Sequence, residues 1–278
     1  MMKKWWILLV ALGLLAGCSE ENTPVETEGA DFIYPVAVGN MWEYKATLYN
    51  VNIRGDSAHL VSADTITSNI KVVVSNTVQL PDLTTVYQFQ ENIVSQSGDS
   101  IGSRLYYRNE SNGLFLYAFQ HAGFFLPKSV PAGRMALNPK ISAFPGLAVV
   151  TQDSLIFPDA PFQALQYPLE LGARWVYFRT PEMPYNADKL ITDSGNLTTL
   201  AGKFDCYEIQ ELLDINEDDN LDYDYQFYDY VSPSGLVKRV IYIYNVEIPG
   251  SGSLDPLNPP VAVFDQVRVI ELKQVELK

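Results

Sequence analysis

The sequence predicts a mainly β protein: two tandem, duplicated antiparallel β-sheet domains that follow a signal peptide and a flexible acidic tether. Three observations point there. Apolar and polar residues alternate with the strand period of two along most of the chain, and β-branched and aromatic side chains fill those runs. No long stretch keeps the 3.6-residue apolar period of a helix. A string built on Tyr-Pro, Gly, Trp and Tyr occurs twice in the same spacing.

The start of the chain reads separately from its body. Lys3 and Lys4 precede an apolar run from Trp5 to Leu15, which has 11 residues. That is about half the roughly 20 needed to cross a bilayer. The basic flank, the short run and the small residues Ala16 and Gly17 fit a cleaved signal peptide, residues 1–17. The next residue is Cys18, and Leu15-Ala16-Gly17-Cys18 resembles the lipobox of bacterial lipoproteins. The resemblance implies a diacylglyceryl group on the Cys18 thiol, cleavage before Cys18 and acylation of the new amino terminus. Two or more lipid chains anchor stably, at about 0.8 kcal/mol for each buried methylene. The expected location is therefore a lipid anchor in the outer membrane, facing either the periplasm or the cell surface.

Residues 18–31 hold the lipidated cysteine and an acidic stretch, Ser19 to Asp31, nearly free of apolar side chains. Such a segment cannot bury enough surface to order itself and reads as a disordered tether. Ser19-Glu20-Glu21 also resembles the acidic export signal of surface lipoproteins in Bacteroidetes-like bacteria; a merely solvated tether is the plain alternative. Loss of residues 1–17 removes two lysines and no acid, so the formal charge moves from −14 to −16. An acidic surface repels nucleic acid, which excludes it as a partner. Lipidation of Cys18 leaves Cys206 as the second of two cysteines, so no internal disulfide can form.

The body repeats. Tyr34-Pro35-Val36-Ala37-Val38-Gly39-Asn40-Met41-Trp42-Glu43-Tyr44 matches Tyr167-Pro168-Leu169-Glu170-Leu171-Gly172-Ala173-Arg174-Trp175-Val176-Tyr177. Leu80 to Gln90 matches Leu200 to Gln210, and Ser111-Asn112-Gly113-Leu114 matches Pro233-Ser234-Gly235-Leu236. Three collinear matches imply duplication, with a first copy at 32–160 and a second at 161–278. These strings resemble the TapB-like domains of poorly characterised envelope lipoproteins. Gly202-Lys203-Phe204-Asp205-Cys206-Tyr207 and Gly235-Leu236-Val237-Lys238 fit that family's later motifs best. In the first copy Asp82 and Phe115-Leu116 depart from them. The resemblance implies a fold and an envelope location, and no reaction.

Aligning the copies helps to read single residues. Cys206 falls opposite Val86, which favours a buried, inert thiol. Trp42 with Tyr44, and Trp175 with Tyr177, are spaced to share one strand face and read as core anchors. Gly39 and Gly172 supply a turn that side chains disfavour. Strands are expected at Met41–Tyr49, Ile70–Val78, Thr85–Val94, Arg104–Arg108 and Leu114–Phe119, then at Arg174–Arg179, Asp205–Leu213, Tyr223–Val231, Leu236–Val246 and Val261–Leu277. Asn112-Gly113 and Ser234-Gly235 read as tight hairpin turns. Seven prolines break up residues 120–168 into a long loop, and a second Pro/Gly-rich loop spans Pro249–Pro260. Whether the copies fold as separate domains or as one continuous sheet is left open.

Asp214, Asn216, Asp218 and Asp222 offer several oxygens to one hard cation, in a string that resembles the start of a calcium loop. Asp219 replaces the turn glycine and Tyr225 the closing glutamate, so a solvated acidic loop is the alternative. Calcium is the one cofactor this pattern suggests. Gly98-Asp99-Ser100-Ile101-Gly102 matches a nucleophile pattern formally but sits between strands, with His59 and His121 the sole histidines. It reads as a hairpin turn. Tyr225 and Tyr228, in an aromatic cluster, and Phe124 with Phe125, in the proline-rich loop beside Leu126, are candidate ligand contacts. The expectation is a membrane-anchored, non-enzymatic protein that binds or scaffolds an envelope protein, glycan or lipid. The competing role is a carrier that holds a lipid or another hydrophobic ligand in a curved-sheet groove.

Overall fold

The computed structural model describes residues 32–56, 58–61, 64–96, 98, 100–120, 155–179, 186–214, 219–249 and 260–278. Cys18 and its flanks, Phe124, Phe125, Leu126, His121, Asn216 and Asp218 lie outside these residues. Twelve strands follow one another. They are β1 (Met41–Arg54), β2 (Ile66–Gln79), β3 (Thr85–Ser95), β4 (Ser100–Glu110), β5 (Gly113–Gln120) and β6 (Phe162–Gln166). Then come β7 (Arg174–Phe178), β8 (Asn186–Thr199), β9 (Gly202–Asp214), β10 (Tyr225–Ser232), β11 (Gly235–Pro249) and β12 (Pro260–Glu276). The mainly β antiparallel class is the one expected. Two strands were not: β6 lies inside the stretch read as loop, and β8 fills a stretch left unassigned.

The order across the sheet is β6-β5-β4-β3-β2-β1-β12-β11-β10-β9-β8-β7. Each half is a meander of six strands, and the halves meet through the antiparallel β1–β12 ladder, with Thr47 opposite Val269 and Trp42 opposite Val275. The question the sequence leaves open is thereby answered: both halves build one continuous sheet. Its outer strands, β6 and β7, also come together. Trp175 Nε1 donates to the Gln163 carbonyl at 2.9 Å, and the Phe162 ring lies 5.1 Å from that of Phe178 and 6.1 Å from that of Tyr177. The sheet therefore wraps into a nearly closed barrel with a shared interior. Its main core mixes Leu114, Leu116 and Phe162 from one half with Trp175, Ile209, Phe227 and Ile241 from the other.

The repeated strings turn alike at their glycines, although the Tyr167-Pro168 peptide bond is cis and that of Tyr34-Pro35 is not. Gly39 and Gly172 have φ of +93° and +81°, which glycine adopts without strain. Gly39 N donates to Val74 O at 2.8 Å and Gly172 N to Ile191 O at 2.9 Å. Asn40 N reaches Ala37 O at 3.1 Å, and Ala173 N reaches Glu170 O at 3.0 Å. Each string then grips a hairpin of the opposite half. Trp42 Nε1 donates to Ser234 O at 2.7 Å and Tyr44 OH to Leu236 O at 3.1 Å. In return Tyr167 N donates to Asn112 O at 2.9 Å and Tyr167 OH to Asn109 Oδ1 at 2.8 Å.

Close packing explains the glycine after each hairpin turn. The turn residues are Ser111-Asn112 and Pro233-Ser234, one position earlier than expected, because Glu110 pairs with Gly113 and Ser232 with Gly235. A Cβ on Gly235, whose φ is +105°, would sit 2.7 Å from Trp42 Nε1. A Cβ on Gly113 would collide with the Leu165 carbonyl oxygen. Gly235 thus serves both its left-handed backbone and the close approach of Trp42 from the opposite half, whereas Gly113 makes room for the neighbouring strand β6.

The four expected anchors are buried, Trp42 most completely at 1% exposure. Cys206 is buried too, and burial pushes its thiol up to about 11, so it stays protonated and inert as expected.

Candidate functional site

Strand alternation sends every second side chain inward. Among the described residues, six inward positions around one cavity carry charge instead of hydrocarbon. Glu91 lies between Phe89 and Ile93 on β3, and Lys189 between Ala187 and Ile191 on β8. Glu211 lies between Ile209 and Leu213 on β9, and Asp229 between Phe227 and Val231 on β10. Arg239 precedes Ile241 on β11, and Arg268 precedes Ile270 on β12. All six line one interior cavity of about 170 Å³, whose remaining wall is apolar and aromatic.

The ladder sets their pairing. Asp229 stands directly opposite Arg239, which forks onto it with Nε at 2.6 Å from Oδ1 and Nη2 at 2.8 Å from Oδ2. Lys189 Nζ approaches Asp229 Oδ2 at 3.9 Å, donates to Ala164 O at 3.3 Å and sits 4.2 Å above the Tyr177 ring. Glu91 Oε2 accepts from Ser103 Oγ at 2.8 Å. Glu211 stands opposite Lys189 in the β8–β9 ladder, yet that ammonium is turned to Asp229. Glu211 Oε1 is buried and has no hydrogen-bond partner among the described residues.

The electrostatics follow from these contacts. Burial opposes ionisation of Asp229, but Arg239 and Lys189 outweigh it and hold the carboxyl below its usual value. Burial would likewise lower Arg239; the Asp229 carboxylate reverses this and raises it. Glu211 lacks such a fork. Desolvation raises it to about 7, with Lys189 opposing and Asp229 reinforcing the rise. Desolvation also lowers Arg268 to about 10.

A pH dependence results. The native Glu211 carboxyl is raised to about 7 from an unperturbed 4.5, so its contribution to stability is complete below 4.5 and is lost as pH rises through 7. The loss is on the order of 3 kcal/mol. Glu211→Gln should flatten that part of the stability profile, as measured by urea denaturation between pH 4.5 and 8. An unchanged profile would place the buried proton elsewhere.

The repeat extends into this site. Gln90-Glu91 and Gln210-Glu211 continue the match between β3 and β9, so two corresponding glutamates face the same interior. Their cross-strand partners differ: Val72 stands opposite Glu91 and Lys189 opposite Glu211.

The residues named from sequence lie elsewhere. Asp214 ends β9 and is buried; its Oδ2 accepts from Asp219 N at 3.1 Å, so the carboxylate already organises the loop backbone. Asp222 N donates to Leu213 O at 2.8 Å, which brings Asp222 back beside the end of β9. Asn216 and Asp218, the other two expected donors, lie outside the described residues. No group of three or more metal-ligating side chains occurs among the described residues.

Tyr225 and Tyr228 do not share a face. Tyr225 packs on the interior core, whereas Tyr228 meets Tyr242 edge-on at 6.3 Å and is hydrogen-bonded to Gln210 and Gln226. An odd spacing on a strand separates them, so they form no single platform. Ser100 opens β4 directly after the β3–β4 connection, a strand–turn–strand setting as read from the sequence.

No protein-family model matches the chain, and no curated protein matches it. The TapB-like resemblance thus stands on its motifs alone. Among solved structures, a Bacteroides fragilis protein described as exported, with a YmcC-like fold, is similar over 89% of this chain and 100% of its own, at 10% identity and a TM-score of 0.41. A Parabacteroides distasonis protein described as a lipoprotein is similar over 89% of this chain and 99% of its own, at 14% identity and a TM-score of 0.41. Matches this distant assign no role.

Proposed function

We propose that this chain is a lipid-anchored cell-envelope protein whose duplicated β body binds or scaffolds and does not catalyse. The Leu15-Ala16-Gly17-Cys18 string carries the location, with the anchor in the outer membrane. The binding role is supported by the charged cavity inside the sheet. A carrier of whole lipids fits this interior less well: about 170 Å³ falls short of the roughly 300–1,000 Å³ of sites for drug-sized ligands. The recurrence of the same glycine turn in both halves, each followed by a buried Trp and Tyr, supports the duplication.

The anchor is tested by Cys18→Ala. Metabolic labelling with a fatty-acid analogue should mark the wild-type chain and miss the variant, which should move to the soluble fraction. Retention of the variant in membranes would refute the lipobox. Calcium at Asp214, Asn216, Asp218 and Asp222 belongs to the same proposal as a stabilising ion. Its melting temperature should rise with millimolar calcium, fall back with chelator and rise less in Asp218→Asn. An equal response to magnesium at constant ionic strength would reduce the segment to a solvated acidic loop.

A further inference from the structure

The interior cavity supports an inference that rests on the body being a binding module and is independent of the anchor. We propose that the cavity binds a small neutral molecule, which sets a hydroxyl donor against Glu211 Oε1 and an apolar body of about one aromatic ring against the surrounding wall.

Size comes first. The cavity measures about 170 Å³, close to the roughly 150 Å³ cavity in which an engineered core holds benzene. The apolar part of its wall, which includes Ile70, Leu105, Leu114, Phe227 and Ile241, favours contact with hydrocarbon over water.

Charge comes second. Glu91, Glu211 and Asp229 balance Lys189, Arg239 and Arg268 within one cavity. A charged guest would break that balance in a place where unpaired charge is costly; a neutral guest leaves it intact.

Hydrogen bonding comes third and selects the donor. Arg239 is forked on Asp229. Lys189 is held by Ala164 O and Asp229, over the Tyr177 ring. Glu91 accepts from Ser103. Glu211 Oε1 is the buried side-chain oxygen or nitrogen left without a partner among the described residues. A carboxylate only accepts, so the complementary group on the guest is a donor, and bonds to an ionised acceptor are roughly twice as strong as neutral ones.

The test uses the full chain in detergent at pH 8, with calorimetric titration of benzyl alcohol, toluene, benzylamine and benzoate. Benzyl alcohol should bind one site at least tenfold more tightly than the other three. Glu211→Leu should erase the preference, so that benzyl alcohol and toluene bind alike. Should that variant fail to fold, the wild type still decides: affinity for benzyl alcohol should fall at least threefold from pH 8 to pH 5, and that for toluene should not. Lys189, Asp229, Arg239 and Tyr177 also act on this carboxyl, and Glu91 and Arg268 line the same cavity, so where the variant folds its own pH series isolates the Glu211 proton. Binding of none of the four, equal binding of toluene, preference for benzylamine or benzoate, or a pH-independent affinity would each overturn the proposal. Lipid labelling reports on the anchor separately, so failure of one reading leaves the other standing.

Discussion

Trp42→Ala should destabilise the body by about 3–5 kcal/mol, the usual cost of deleting a fully buried aromatic side chain. Trp42 is 1% exposed and stacks on Phe89 with ring centroids 5.9 Å apart. Its indole N–H is also the clamp on Ser234 O, at 2.7 Å in the hairpin of the opposite half. Truncation opens a cavity and releases that hairpin together. Trp42→Phe separates the two effects: most of the ring remains, the carbonyl loses its donor, and the cost should shrink to about 1–3 kcal/mol. Urea denaturation measures both. A loss below about 1 kcal/mol for Trp42→Ala would show that the clasp contributes little to joining the halves.

Asp229→Ala should cost a similar amount, about 3–5 kcal/mol, for a different reason. The variant leaves the half-buried Arg239 without its fork and the buried Lys189 without the carboxylate it approaches at 3.9 Å. The damage is therefore the stranded cation more than the lost attraction. Asp229→Leu combined with Arg239→Met removes both charges at matched volume and should be far milder than Asp229→Ala alone. A double variant as unstable as the single one would mean that packing, and not uncompensated charge, sets the cost.

Much of the β architecture was readable because strand alternation is a local property. Ten strands announced themselves through β-branched and aromatic residues at a period of two. β6 did not, because Pro158, Pro161 and Pro168 crowd its five residues, and sequence reading takes proline as a break. β8 did not, because the half that faces inward reads Ala187, Lys189, Ile191, and a lysine in the middle position hides the alternation. The remainder, Thr192 to Asn196, is exposed on both faces and carries no pattern.

The candidate site was hidden for the same reason. A charge on a strand is normally assigned to the solvent face, so Glu91, Glu211, Asp229, Arg239 and Arg268 drew no notice, while the acidic run after Asp214 did. Yet a signal was present. Each of these charges falls in phase with apolar neighbours, as in Phe227-x-Asp229-x-Val231 and Ile209-x-Glu211-x-Leu213. A charge at an apolar phase marks either an exposed face or a polar interior, and only closure of the sheet decides between them. That closure depends on β6 meeting β7, the contact of longest consequence and the one that no local pattern encodes. The pairing of Asp229 with Arg239 was equally out of reach, since register follows from the hairpin at Pro233-Ser234 and the bulge between Tyr230 and Val231.

The charged interior is the proposed functional site, and among the described residues Glu211 Oε1 is buried there without a hydrogen-bond partner. Carbon-13 NMR of the side-chain carboxyls, followed from pH 3 to 9, tests it most directly. One carboxyl should titrate with a midpoint of about 7, vanish in Glu211→Gln and shift when benzyl alcohol is added. A spectrum in which every carboxyl titrates in the ordinary range below about 5 would contradict the claim.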